Sequence, residues 1–63
     1  MKEVEYSHQR LIELVREYSS YEDFGNKSQA ETFAKMKEDN GQKTAMMKIG
    51  NIGDGGKWTV FFK

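Results

Sequence analysis

The residues with chemistry to offer are few in this chain. Its one imidazole, His8, follows Glu5 by three positions, the Glu-x-x-His spacing with which di-iron helix bundles hold metal. Those centres need two such pairs and further glutamates, and the absence of cysteine removes the ordinary zinc frameworks as well. His8 is therefore expected on a helix surface, with no metal and no cofactor bound. Gly50, Gly53, Gly55 and Gly56 lead into Lys57. A Walker-type phosphate loop ending at Gly56 and Lys57 would need glycine where Asn51 stands and serine or threonine where Trp58 stands. It would also need a helix next, so that a dipole faces the phosphate, and a β-type run follows instead. Asn51 and Asp54 alone cannot supply the roughly six to eight oxygens that calcium takes. The glycines read as a hairpin turn in which they supply positive φ.

Nucleophilic catalysis lacks its parts. There is no cysteine, and no serine sits in a Gly-x-Ser-x-Gly elbow. The paired acids Glu22–Asp23 and Glu38–Asp39 fall at the ends of expected elements, where capping or solvated carboxylates are usual. A 63-residue chain is short for enclosing the concave pocket of a few hundred Å³ that small substrates need. No enzyme is expected.

What remains are candidate binding residues: Met46, Lys48, Lys57, Phe61 and Lys63. They stand out because the C-terminal third alternates. In the runs 43–49 and 57–63, Ala45, Met47, Ile49, Trp58, Val60 and Phe62 are assigned to a core face. Thr44, Met46, Lys48, Lys57, Thr59, Phe61 and Lys63 are assigned to the outer one. Thioethers repack against varied partner shapes, and lysines with an exposed ring could equally meet phosphates and stack on a base.

The elements that must position these residues follow from periodicity. Val4, Leu11, Leu14, Val15, Tyr18 and Tyr21 form an apolar stripe that predicts a helix over about 3–20, with Glu3 and Glu5 favourably placed in its first turn. Residues 19–27 are open to three readings: a last helical turn, a turn tucking Tyr21 and Phe24 into the core, or a very short strand. Ser28 and Glu31 match a capping box opening a second helix over about 28–40, which Asn40 and Gly41 end. An antiparallel hairpin over 43–49 and 57–63 completes an α-α-β-β order. The expected fold is a single α+β domain, 1–63, with both helices on one face of the hairpin. Its single core joins Trp58, Val60, Phe62, Met47 and Ile49 to Leu11, Val15, Tyr18, Phe33 and Ala34. Two strands make a marginal sheet, so a homodimer through the hairpin edge is one expected remedy.

Ten basic and ten acidic side chains cancel, but residues 1–40 carry six against nine and residues 41–63 carry four against Asp54 alone. A bias of three charges is a weak field for nucleic acid, and the only two arginines lie in the acidic first helix. No apolar leader and no run of about 18 apolar residues is present, which with the lack of cysteine points to the cytoplasm. Ser28, Gln29, Ala30, Glu31, Phe33 and Ala34, followed by Gly41 and a strand pair, are loosely similar to the helix–hairpin unit of sporulation-related (SPOR) repeats. Those repeats have a further strand and helix, the likeness covers under half the chain, and their peptidoglycan binding is not carried over. The expected function is a small non-catalytic protein-binding module, a regulator or inhibitor docking on a larger protein, of the kind phage and mobile elements encode. The alternative is a nucleic-acid-binding module using the same outer face.

Overall fold

The computed structural model describes residues 1–50 and 56–63. The expected glycine turn lies outside the described residues apart from Gly50 and Gly56. The chain is α+β. It runs β1 (Lys2–Val4), α1 (His8–Glu17), β2 (Ser20–Phe24), α2 (Lys27–Asp39), β3 (Thr44–Ile49) and β4 (Lys57–Phe62). The four strands form one mixed sheet in the order β1-β3-β4-β2, with β1 parallel to β3 and the other two pairings antiparallel.

The expected α-α-β-β order is thus corrected at both ends of the first helix. Ser7 is extended, with φ −150°, and its hydroxyl oxygen accepts the Arg10 N–H at 3.1 Å. A serine in this role satisfies one of the orphan amides of a first turn, so α1 begins at His8. Val4 is left free to enter the sheet opposite Met47, where it is buried. The seven-residue step from Val4 to Leu11 suits a helix, which is why periodicity alone merged the two elements. At the other end Tyr18 is already extended, with ψ 137°. Residues 20–24 form the short strand that was one of three readings.

The second helix starts one residue earlier than expected. Asn26 is its cap, with Oδ1 accepting the Gln29 N–H at 2.8 Å. Asparagine is as strong a cap as serine, and Ser28 falls inside the first turn, where its carbonyl accepts the Thr32 hydroxyl at 3.0 Å. The expected stop at Asn40 and Gly41 is found. Gly41 takes φ +81°, its N–H reaches the Glu38 carbonyl at 2.9 Å, and the Gln42 N–H reaches that of Lys37 at 3.0 Å. Those two bonds are a Schellman closure, which needs a left-handed residue at this position.

The hairpin of β3 and β4 occupies the places expected of it, but it is the centre of the sheet and not its whole. Both hairpin edges are paired within the chain, by β1 and by β2. The support that the sequence reading sought from a second copy at the hairpin edge is therefore supplied internally. The expected face assignment is corrected as well. Ala45 lies opposite Phe61, Met46 opposite Val60 and Met47 opposite Thr59, so the two strands share faces one residue out of step with the expectation. A shift of one residue exchanges every side chain on a strand.

Both faces are core, because the helices lie on opposite sides. With α1 are Val4, Leu14, Ala45, Met47 and Phe61, backed by Leu11, Tyr18 and Ile49. With α2 are Ala30, Ala34, Met46 and Val60, backed by Phe24, Phe33 and Trp58. The two alanines of α2 let it approach the sheet closely. Phe33 packs its ring against Phe24 and Phe62 at 5.1 and 5.4 Å.

Glu38 ties β1 and β3 to the end of α2. Its Oε2 accepts the Thr44 hydroxyl at 2.9 Å and meets the Met1 α-ammonium at 2.6 Å. The ammonium first and the hydroxyl second hold the Glu38 carboxyl below the ordinary glutamate range.

Two tests follow from this packing. A domain of this length holds only about 3–9 kcal/mol in total. Phe61→Ala is expected to remove about 3–5 kcal/mol and Met46→Ala about 2–5 kcal/mol, read by urea denaturation. Losses near the roughly 0.5 kcal/mol of a surface site would contradict two-sided burial. The second test concerns acid. A carboxyl depressed in the folded state stabilises fully above its unfolded pKa and ceases to do so as pH falls through the folded one. Wild type should therefore exceed Glu38→Gln in stability at neutral pH, with the gap closing below about pH 4.3. A gap that persists in acid would assign the effect to packing.

Candidate functional site

The five residues singled out in the sequence do not form one surface. Met46 and Phe61 are 0% and 1% exposed and lie on opposite faces of the sheet. Lys48, across from Trp58 on the α2 side, holds Nζ 5.9 Å from that ring, whose other neighbour is Lys27 at 5.3 Å. Lys57 lies on the α1 side with Nζ 3.9 Å from Asp23. Lys63, past the end of β4, sits 5.5 Å over the Tyr18 ring. The three lysines are spread over two faces and an end. Glu5 precedes the Ser7 cap while His8 opens α1, so the two do not share a helix. Among the described residues no group of three or more His, Asp or Glu could hold a metal ion.

A concave site does exist, and α1 makes it by sitting off centre. Four strands at about 4.8 Å spacing give a sheet roughly 19 Å wide, and a helix with side chains covers about 10 Å of it. On one face α2 packs over β4, β3 and β2. On the other, Leu14 of α1 packs with Val4 of β1 and with Ala45, Met47 and Phe61, and Arg10 and Glu17 share a cleft with Lys2 of β1. Among the described residues no second helix lies over the β4–β2 half of that face. A groove of about 630 Å³ remains there.

Each side of the groove comes from a different element. Leu11 and Val15 of α1 form one wall, Thr59 and Phe61 of β4 the floor, and Tyr21 and Asp23 of β2 the other wall. Ile49, Gly50, Gly56 and Lys57 lie at one end. Tyr18 and Tyr21 hold their rings 6.4 and 6.1 Å from Phe61 and so cover it at the opposite end. Burial, and secondarily Glu17, raises the Tyr18 phenol above its usual range, so the ring is neutral at physiological pH. Tyr21 is 60% exposed and Val15 53%, with Ile12 of α1 also exposed beside it.

The polar content is small and largely committed. Thr59, nearly fully buried, donates its hydroxyl to Asp23 Oδ1 at 2.7 Å. The second carboxylate oxygen faces Lys57 at 3.9 Å. A buried hydroxyl already spent on a carboxylate is no free nucleophile, and no imidazole lines the groove to activate one. The arrangement suits binding of an apolar surface. Sequence reasoning placed Leu11, Val15 and Tyr21 in the stripe buried by α1. The missed signal was the width of that stripe, which with Ile12 exceeds what one helix can bury against one sheet.

The Thr59–Asp23 bond, rather than the ion pair, should hold β2 on β4. Asp23→Ala strands a buried hydroxyl and is expected to cost about 1–3 kcal/mol, while Lys57→Ala removes an exposed contact worth less than about 1 kcal/mol. Equal losses in denaturant titrations would reverse that order of importance. Comparison of the chain with protein-family models, with curated proteins and with solved structures finds no match.

Proposed function

We propose that this chain is a small non-catalytic protein-binding module, a regulator or inhibitor that docks on a larger protein through the groove between α1 and the β4–β2 half of the sheet. The observation that carries this reading is the exposure of Val15 and Tyr21, each more than half open to solvent, on the two walls of an apolar groove of about 630 Å³. Contiguous apolar surface on a small domain weakens its solubility unless a partner covers it. The reading includes action in the cytoplasm, which a cysteine-free chain suits. No helix among the described residues is long and apolar enough to cross a membrane. The nucleic-acid alternative is not favoured, because a buried Phe61 offers no ring to a base and its three lysines do not line one path.

The test uses a photo-crosslinking residue in place of Val15 or Tyr21, with Lys35 on the outward face of α2 as control, in the cells that make the protein. The groove positions should yield one adduct of defined mass that Lys35 does not. Val15→Lys should abolish the Tyr21-position adduct while changing stability by no more than about 0.5 kcal/mol. Labelling that is equal from all three positions, or unchanged by Val15→Lys, would remove the groove from the proposal.

A further inference from the structure

Resting on the reading of this chain as a protein-binding module, we infer that the partner also adds a strand to its sheet. An extended segment pairs antiparallel with the free edge of β2, with lysine or arginine opposite Glu22 and an apolar side chain opposite Phe24. Lys43 and Lys63 exchange both of their backbone hydrogen bonds, at 3.2 and 3.1 Å. In an antiparallel ladder such pairs alternate with pairs whose backbone groups turn outward. Along β4 it is therefore Trp58, Val60 and Phe62 that turn to β2, where they meet Phe24, Glu22 and Ser20. The N–H and C=O groups of Tyr21 and Asp23 point away from the sheet, and among the described residues no strand meets them. A row of such groups is completed by an extended chain.

This edge lacks the devices that usually block an added strand. Ser20–Phe24 contains no lysine or proline, and its register against β4 runs through all five residues without a bulge. The opposite edge differs, since β1 is three residues long and carries Lys2. Side chains along β2 define what is added. Glu22 and Phe24 face the α2 side, opposite Val60 and Trp58. Phe24 borders a cleft of about 500 Å³ with Thr32, Phe33 and the half-exposed Met36, and an apolar side chain opposite Phe24 enters it. Glu22 is exposed and has no ion pair among the described residues. In an antiparallel addition its opposite residue lies in a non-hydrogen-bonded pair, where side chains come closest. A cation at that place is favoured.

A second copy of β2 fits this edge poorly. Antiparallel pairing centred on Glu22 or on Asp23 sets a carboxylate against its own copy, which is unfavourable. Centred on Tyr21, it offers Glu22 only Ser20 and sets Phe24 opposite Tyr18, whose ring is turned to Phe61. That register meets neither the charge nor the cleft, and a basic segment of another protein meets both.

The probe is an acetylated and amidated peptide of strand length, with a central lysine, a leucine two places before it and threonines elsewhere. Hydrogen exchange by NMR on the full chain should find the Glu22 and Phe24 amides slow and those of Tyr21 and Asp23 fast. Saturating peptide should slow Tyr21 and Asp23. The lysine peptide should bind up to about fivefold tighter than one with glutamate in its place, and Glu22→Lys should reverse that order. N-methylation of the two threonines that flank the lysine, whose amides face β2, should abolish binding, while N-methylation of the lysine, whose amide faces away, should spare it. Unchanged exchange at Tyr21 and Asp23, equal effects of the two methylations, or a preference untouched by Glu22→Lys would each overturn the added strand. So would slow Tyr21 and Asp23 amides in a free chain that light scattering shows to be dimeric. A groove adduct in cells together with failure here sinks the strand and leaves the groove standing. Protection of Tyr21 and Asp23 by the peptide without a groove adduct sinks the groove and leaves the strand.

Discussion

The pairing of β3 with β4 in the register that sets Ala45 opposite Phe61 governs the rest of the molecule. It puts Ala45, Met47 and Phe61 on one face and Met46 and Val60 on the other, all nearly without solvent exposure. Two apolar faces need two covers, so each helix must take a side. A hairpin buried on both faces also cannot leave its edges open, and the chain closes them with β1 and β2. The result is three layers built from 63 residues, without the disulfides that chains of this size often need.

Economy at this scale leaves a gap. One helix per face is all the chain can provide, and α2, lined by Ala30 and Ala34, covers its face centrally. The other helix anchors through Leu14 to the Val4–Met47 side, which places it off centre. The groove beside it is the geometric remainder of a sheet wider than a helix. Its floor is sealed by Phe61 under two tyrosines, while Val15 and Tyr21 are left facing outward. They are two of the large apolar side chains left exposed, and Ile12 of α1 is a third beside them.

Charge acts locally here. Lys27 and Lys48 lie over Trp58, Lys37 over Phe33 and Phe62, and Lys63 over Tyr18. These stems shield aromatic edges of a thin domain while keeping their ammonium groups wet. Of the C-terminal lysines, Lys48 and Lys63 thus cover aromatic rings, and the charged side chains lining the groove among the described residues are Asp23 and Lys57.

Local signals were legible wherever a single element could decide the matter. The Asn40–Gly41 stop, the second helix and both hairpin strands follow from capping chemistry and alternation along the chain. The runs Ala45–Met47 and Trp58–Phe62 also hinted at burial on both faces, since strands covered twice read as nearly continuous apolar stretches. What residue order could not decide was register, edge pairing and which part of a wide apolar stripe would be buried. Val4 could continue a helix or join a strand, and only the free edge of β3 made the strand the better choice. Met46 and Phe61 could face water or core, and only helices on opposite sides made both core. Val15 and Leu14 are neighbours on one stripe, and only the seat of α1 near β1 buried one and left the other exposed. Propensity and capping act over a few residues and are written in the chain itself. Burial depends on what arrives from far along the chain, and that the tertiary structure alone decided.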